Sequence, residues 1–335
     1  MAREESMTLV TRLTGAALAM GLAIGTANAA ELKFANFMPP TNPYEKGAFQ
    51  PFAEKLKEAT NGEVSVEVFS GGELGAGPVE QYSRAVDGVA DLVVSLPGYT
   101  ASTFPITLLS ELPGVIGEDT GTKAIWDNIE LFQPEYRRVH LVSLWSNAEN
   151  VLYSREKPIH TPDDVKGLKI RVPSRNTGLV VESWGATPVS MPVSEIYNAL
   201  QTGVIDAAMI DGTGTKAFKL GEVSKYVTVG MNTTISPFFI LMNRDSYQSL
   251  GDEAQQAVDK VGKEISIMAN DTQLKAAHKG IDAFGEMSGH EVIHLTDEEK
   301  KAFDDLSKNV TDKVVADAEA NGLPAKKVVG ALSSD

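Results

Sequence analysis

Cysteine is absent from all 335 residues. That excludes disulfides, thiolate metal sites, a cysteine nucleophile and a lipid-bearing N-terminal cysteine. Positive charge is scarce as well: 30 lysines and arginines stand against 45 aspartates and glutamates, for a net charge of −15. A surface this acidic repels nucleic acid and anionic membrane, so neither is expected as a partner. An anionic ligand must then be drawn in by a local cation against the global field. Long apolar runs are missing too. The most sustained stretch, Leu13 to Gly25, is too short for an ordinary transmembrane helix. It precedes Ala27-Asn28-Ala29, the A-x-A pattern of a signal-peptidase site, so residues 1–30 read as a leader. Glu4 and Glu5 offset Arg3 in its charged front, which points to Met7 as the start. An exported chain without an anchor serves uptake only where an outer compartment retains it, so the expected location is a Gram-negative periplasm.

Removing the leader leaves about 305 residues, more than a single core usually holds, and two domains are expected. Glu31–Phe37 reads as a strand. Phe49, Phe52, Ala53 and Leu56 then recur at helical spacing, and Val64, Val66 and Val68 alternate as in a half-buried strand. A glycine-rich loop over 71–77, a short helix and the apolar run Ala90–Leu96 complete a strand–helix series that predicts a parallel sheet. A second series begins near Val151. Thr161-Pro162-Asp163-Asp164 opens a helix, Leu168–Val172 reads as a strand, helices follow through Val180–Trp184 and Ser194–Leu200, and Val204–Ile210 is a strand. From Gly251 to about Gly285 the pattern stays helical without a proline, long enough to run across both domains. Thr296 and Glu299 form a capping box for a last long helix, Glu298–Asn321. Two such layers joined by crossing segments leave a cleft, where small-molecule sites commonly lie.

His290-Glu291-Val292-Ile293-His294 matches the H-E-x-x-H zinc signature letter for letter. That chemistry needs a helix, which brings both histidines to one metal. Here Gly289 precedes the segment, Val292-Ile293 fills it and a helix cap follows at Thr296, so it reads as a strand with its histidines roughly 13 Å apart. No metal and no cofactor are expected, and no carboxylate pair nominates an enzyme. Gly167-Leu168-Lys169-Ile170-Arg171-Val172-Pro173 is different. If Leu168, Ile170 and Val172 share one face of a strand, Arg171 faces the other, at an end closed by Pro173. A guanidinium fork matches a carboxylate with two parallel hydrogen bonds, which lysine cannot do. Spacing alone favours a surface ion pair for such an arginine.

The strings PIHTPDDVKGLKIRVPSR and SMPVSEIYNALQTGVIDAA, within Pro158 to Ala208, strongly resemble the solute-binding subunits of TRAP (tripartite ATP-independent periplasmic) transporters. The likeness continues at Thr60-Asn61-Gly62, Leu74-Gly75, Phe104-Pro105 and Leu112-Pro113. The resemblance implies an α/β, two-lobed flytrap with a long helix spanning both lobes. It implies a first lobe of 31–149 plus about 236–280 and a second of 150–235 plus about 281–335. It also implies that Arg171 pairs with the carboxylate of a small organic anion, which is handed to small and large integral membrane subunits. Phe37, Tyr99, Asn150, Met191 and Asn232 align roughly with pocket positions, each with a packing or turn-forming alternative. Two departures bear on the ligand. Many relatives have a second arginine where this chain has Glu149-Asn150-Val151, and an asparagine shortly after the strand-end Asp206, where this chain has Ala207-Ala208-Met209-Ile210-Asp211. Asp211 can accept from a ligand hydroxyl or amine, or cap the next turn. A small monocarboxylate with a hydroxyl, oxo or amino group is expected, and a sulfonate is the alternative. Other readings are an anion receptor for an ABC importer or sensor kinase and, last, a periplasmic metalloenzyme.

Overall fold

The structure, a computed structural model, describes residues 29–333, so the leader and the choice of start fall outside the described residues up to Ala29. Among the described residues eleven strands form two sheets. β1 (Ala30–Ala35), β2 (Val64–Phe69), β3 (Leu92–Ser95), β4 (Val139–Glu149) and β10 (Ile235–Asn243) lie in the order β2-β1-β3-β10-β4. β5 (Val151–Ser154), β6 (Lys169–Val172), β7 (Thr187–Ser190), β8 (Ala207–Ile210), β9 (Tyr226–Val229) and β11 (Glu291–His294) lie in the order β11-β9-β5-β8-β6-β7. Each sheet is covered on both faces, by two hydrophobic clusters apiece. That is why the four residues of β3 and of β8 are buried without alternation.

Neither sheet is wholly parallel, which corrects the expectation from the strand–helix pattern. β1 runs parallel to β2 and β3, but β10 is antiparallel to β3 and β4. β6 is parallel to β7 and β8, while β5 is antiparallel to β8 and β9. The reason is the crossing between lobes. β4 continues into β5 with Asn150 alone between them, and β9 returns through 230–234 into β10. Chain that leaves one sheet and re-enters the other must run against its neighbours. The two crossings are tied together: Asn150 N donates to the Thr234 carbonyl (3.1 Å), and Thr233 Oγ1 donates to the Asn150 carbonyl (2.6 Å).

The long helix Asp252–Gly285 is the third link between lobes. Its first half packs on β4, where Ser143 Oγ donates to the Gly262 carbonyl (2.7 Å) and a Cβ at Gly262 would lie 2.1 Å from the Val142 carbonyl oxygen. Its second half meets the loop after β8, where a Cβ at Gly280 would lie 1.9 Å from the Gly212 carbonyl oxygen. Phe284 ends it inside the second lobe's core. Glycine at 262 and 280 thus lets helix backbone touch both sheets' backbones. The helix Asp297–Ala320 starts with the expected capping box at Thr296 and Glu299 and packs Phe303 on Trp184. The chain's last described helix, Ala325–Leu332, follows one that packs on the second lobe. It returns to the first, burying Ala325, Val328 and Leu332 beside Ile116 and Ile125.

Gly280→Ala should lower the unfolding free energy by about 1–3 kcal/mol, the usual cost of forcing an extra methyl into close-packed surroundings. Gly330→Ala is the control, because its Cβ would meet nothing within 4 Å. Urea unfolding of both variants checks this, and equal midpoints for the two would contradict the backbone contact.

Candidate functional site

Arg171 sits in β6 opposite Val189 of β7 and Ala208 of β8. The small side chain at 208 leaves room for the guanidinium, which is 1% exposed. Nε donates to the Met191 carbonyl (3.0 Å), Nη1 to the Met209 carbonyl (2.9 Å) and Nη2 to Tyr99 Oη (3.3 Å). All three acceptors are neutral. Among the described residues Arg171 takes part in no ion pair, although it feels the field of Asp211. Burial pulls its pKa down from the ordinary arginine value, and nearby Tyr99 and Asp211 act in the opposite sense. Of the five guanidinium N–H groups, one on each terminal nitrogen is left over.

Arg171 lines a cavity between the two lobes whose empty space, open mouth included, is about 460 Å³. It lies beyond the carboxyl ends of β6 and β8, where open α/β sheets usually bind ligands. Phe37, Tyr44, Tyr99, Phe218 and Phe238 give it an aromatic wall, with Leu96, Val193 and Ile210. Phe37 comes from the first lobe and packs on both lobes' cores, and Phe218 from the second does the same. Tyr99 Oη, besides accepting from Arg171, accepts from Val193 N (3.2 Å) and so ties the first lobe to two elements of the second.

The other charged side chain of the lining is Asp211, 4% exposed. Its Oδ1 accepts from Thr213 N (2.9 Å) and Thr213 Oγ1 (2.6 Å), and its Oδ2 from Asn147 Nδ2 (2.6 Å). Asn147 Oδ1 accepts from Tyr44 Oη (2.7 Å), which accepts in turn from Trp145 Nε1 (2.9 Å). Gln273 of the long helix reaches Thr213 Oγ1 (3.4 Å). Burial raises the Asp211 carboxyl above the usual range, against the bonds from Thr213 and Gln273 that lower it.

The residues singled out from the sequence therefore divide. Arg171, Asp211, Asn150, Tyr99 and Phe37 line the cavity together. Asn150 is committed to the crossing, with Nδ2 donating to the Thr234 carbonyl and Thr234 Oγ1 (3.0 Å each). Asp211 caps the turn that follows it, and it also faces the cavity. Met191 reaches Arg171 through its carbonyl, and its side chain packs in the second lobe's core. Asn232 corrects the rough alignment: its side chain is exposed away from the cavity, and its backbone N–H donates to Asp304 Oδ1 (2.9 Å). Tyr44, Trp145, Asn147, Gln273 and Phe238 were not picked out. None carries a motif, and Tyr44 and Asn147 lie 103 residues apart. Residues 291–294 form a strand as expected, and His290 Nε2 lies 2.7 Å from the Gly221 carbonyl.

The lobes also meet through Glu111 of the first lobe, which is buried. It accepts from Ser174 Oγ (2.7 Å), the N-cap of the helix Arg175–Ser183 in the second. Beside it Asn176 Nδ2 donates to the Leu108 carbonyl (3.0 Å), and Gly98 fits so closely that a Cβ would lie 3.0 Å from the Pro173 carbonyl oxygen.

Comparison with known proteins agrees with this geometry. A sequence model described as bacterial extracellular solute-binding protein, family 7, matches residues 34–318. The C4-dicarboxylate-binding periplasmic protein of Rhodobacter capsulatus is 27% identical over 96% of this chain and 99% of its own. The ectoine/5-hydroxyectoine-binding periplasmic protein of Ruegeria pomeroyi is 27% identical over 91% and 92%. Among solved structures, a marine metagenome TRAP solute-binding protein specific for aromatic acid ligands, with 3-hydroxybenzoate, has a TM-score of 0.83. It is 27% identical, covering 91% of this chain and 97% of its own.

The Glu111 junction has a pH signature. Burial raises its carboxyl from 4.5 to about 7, against hydrogen bonds from Ser174 and Asn176. The folded protein with the lobes in contact therefore holds a proton that the unfolded chain releases. Its contribution to stability is complete below pH 4.5 and is lost as pH rises to about 7. Glu111→Gln should remove this slope, by at most about 1.4 kcal/mol per pH unit. Urea unfolding at several pH values in that window tests it, and identical slopes for the two proteins would refute the assignment.

Proposed function

The chain belongs to the bacterial extracellular solute-binding proteins of family 7, and from that premise we propose that its cleft captures a small organic acid by the carboxylate. Proteins of this family are the solute-binding subunits of TRAP transporters, so the chain is not an enzyme, and the metalloenzyme alternative at His290–His294 falls. The reading rests on one observation. Among the described residues Arg171 is a fully buried cation in no ion pair, with an N–H left on each terminal nitrogen and a cavity beside it. An unpaired buried charge is costly, and the fold retains it where a ligand anion supplies the counter-charge. The aromatic wall suits a compact body, one ring or a short chain. A similar protein specific for aromatic acid ligands and a relative that binds ectoine and 5-hydroxyectoine point to ligands of that size. The favoured solute is a monocarboxylate carrying a hydroxyl, oxo or amino group. A sulfonate remains the second reading, since the same fork can hold it. Delivery goes to small and large membrane subunits, from a periplasmic location. Membership of this family favours TRAP membrane subunits over an ABC importer or a sensor kinase as the partner.

A thermal-shift screen against small carboxylates, sulfonates and neutral sugars identifies the class, because a ligand specific to the native state raises the midpoint. Arg171→Lys should weaken binding by about 2 kcal/mol or more, roughly 30-fold. Arg171→Met should abolish binding while the protein keeps a native circular dichroism spectrum. Calorimetry showing unchanged affinity in either variant, or a screen answered only by sugars, would overturn the reading.

A further inference from the structure

The hydrogen-bond chain that ends on Asp211 has a direction. An indole N–H can only donate, so Tyr44 Oη is an acceptor toward Trp145. Its single hydrogen then goes to Asn147 Oδ1, which turns the Asn147 amide nitrogen toward Asp211 Oδ2. On the other oxygen, Thr213 donates twice, with Gln273 behind its hydroxyl. Every contact the protein makes with this carboxyl group delivers a hydrogen to it. Three of the roughly four positions around its two oxygens are thereby filled by donors, and the fourth is open to the group's own proton, which burial favours, or to a donor on the solute.

The cavity therefore holds one fixed cation and one carboxyl group that a cationic partner would keep ionised. Arg171 and Asp211 both line it, both are almost fully buried, and neither is in an ion pair among the described residues. The other titratable groups in the field of Asp211 are Tyr44 and Tyr153, which burial keeps neutral. A solute with a carboxylate alone satisfies Arg171 and leaves Asp211 either protonated or a buried negative charge in excess. A hydroxyl on that solute satisfies the remaining lone pair of Asp211 but not the charge. A solute carrying a positive group at its far end balances both.

We propose that Asp211 is the second pole of the site, and that the solute is a small zwitterion with its carboxylate on Arg171 and a protonated nitrogen on Asp211. The inference rests on the reading of Arg171 as the acid-binding group. The aromatic wall then encloses the body between the poles. Asn147 and Thr213 act as positioning residues that hold the Asp211 carboxyl group in the cavity lining, and the protonated nitrogen of the solute keeps it ionised.

Two size-matched series test it by calorimetry at pH 7: γ-aminobutyrate, γ-hydroxybutyrate and valerate, then para-(aminomethyl)benzoate, para-(hydroxymethyl)benzoate and para-ethylbenzoate. The ammonium member of at least one series should bind about tenfold or more tighter than its two partners. In Asp211→Asn, checked for a native circular dichroism spectrum, that order should invert. A wild-type order in which the hydroxyl or alkyl member equals or exceeds the ammonium member in both series overturns the proposal, and so does an ammonium preference that survives in the variant. The wild-type ranking decides the matter even if the variant does not fold. If other small acids bind while neither series does, the zwitterion fails and the reading of Arg171 stands. If no acid binds at all, both fail.

Discussion

The structure turns on a buried guanidinium that has no carboxylate partner among the described residues. Arg171 is held by carbonyls at the ends of β7 and β8 and by a tyrosine hydroxyl from the opposite lobe. Neutral acceptors orient the group without cancelling its charge, so the cost of burial is left standing. The neighbouring features make sense around that constraint. Ala208 makes space beside it, Pro173 ends its strand at the cavity, and Tyr99 brings the first lobe down onto it. A closer carboxylate would stabilise the protein and leave the fork nothing to bind.

Holding two sheets around such a site requires links that bend in few places. The crossings at Asn150 and Thr234 are stitched to each other, so they move as one element. The long helix touches β4 through Gly262 and the loop after β8 through Gly280. The loop it touches is the one that carries Asp211, so helix position and carboxylate position are a single variable.

Much of this was legible in the sequence because it is local. Capping boxes, the helical run before Gly285 and the alternation around Val66 depend on neighbours a few residues away, and they fold as read. Arg171 was legible through a string of adjacent residues whose resemblance to a family outweighed its spacing. The strand directions in β4, β5 and β10 were not legible, because direction follows from which sheet the chain has just left. The relay from Trp145 through Tyr44 and Asn147 was also hidden, since ordinary residues become a site only when β4 meets the segment after β1. Asn232 failed for a related reason: alignment places a residue in sequence, but the loop chose to present its backbone to Asp304.

The two charges of the cavity lie on the same lobe. Arg171 and Asp211 belong to β6 and to the end of β8, whereas the first lobe contributes Phe37, Tyr44, Tyr99, Asn147 and Phe238, none of them charged. For a solute of the proposed kind, the two halves of the molecule then govern different rates. The second lobe can attract and orient the solute while the protein is open, which sets how fast it is captured. The first lobe excludes water and closes the aromatic wall, which sets how long it stays. Release to a membrane partner thus requires lifting only the uncharged half, and the ionic contacts can remain intact until the solute has somewhere else to go.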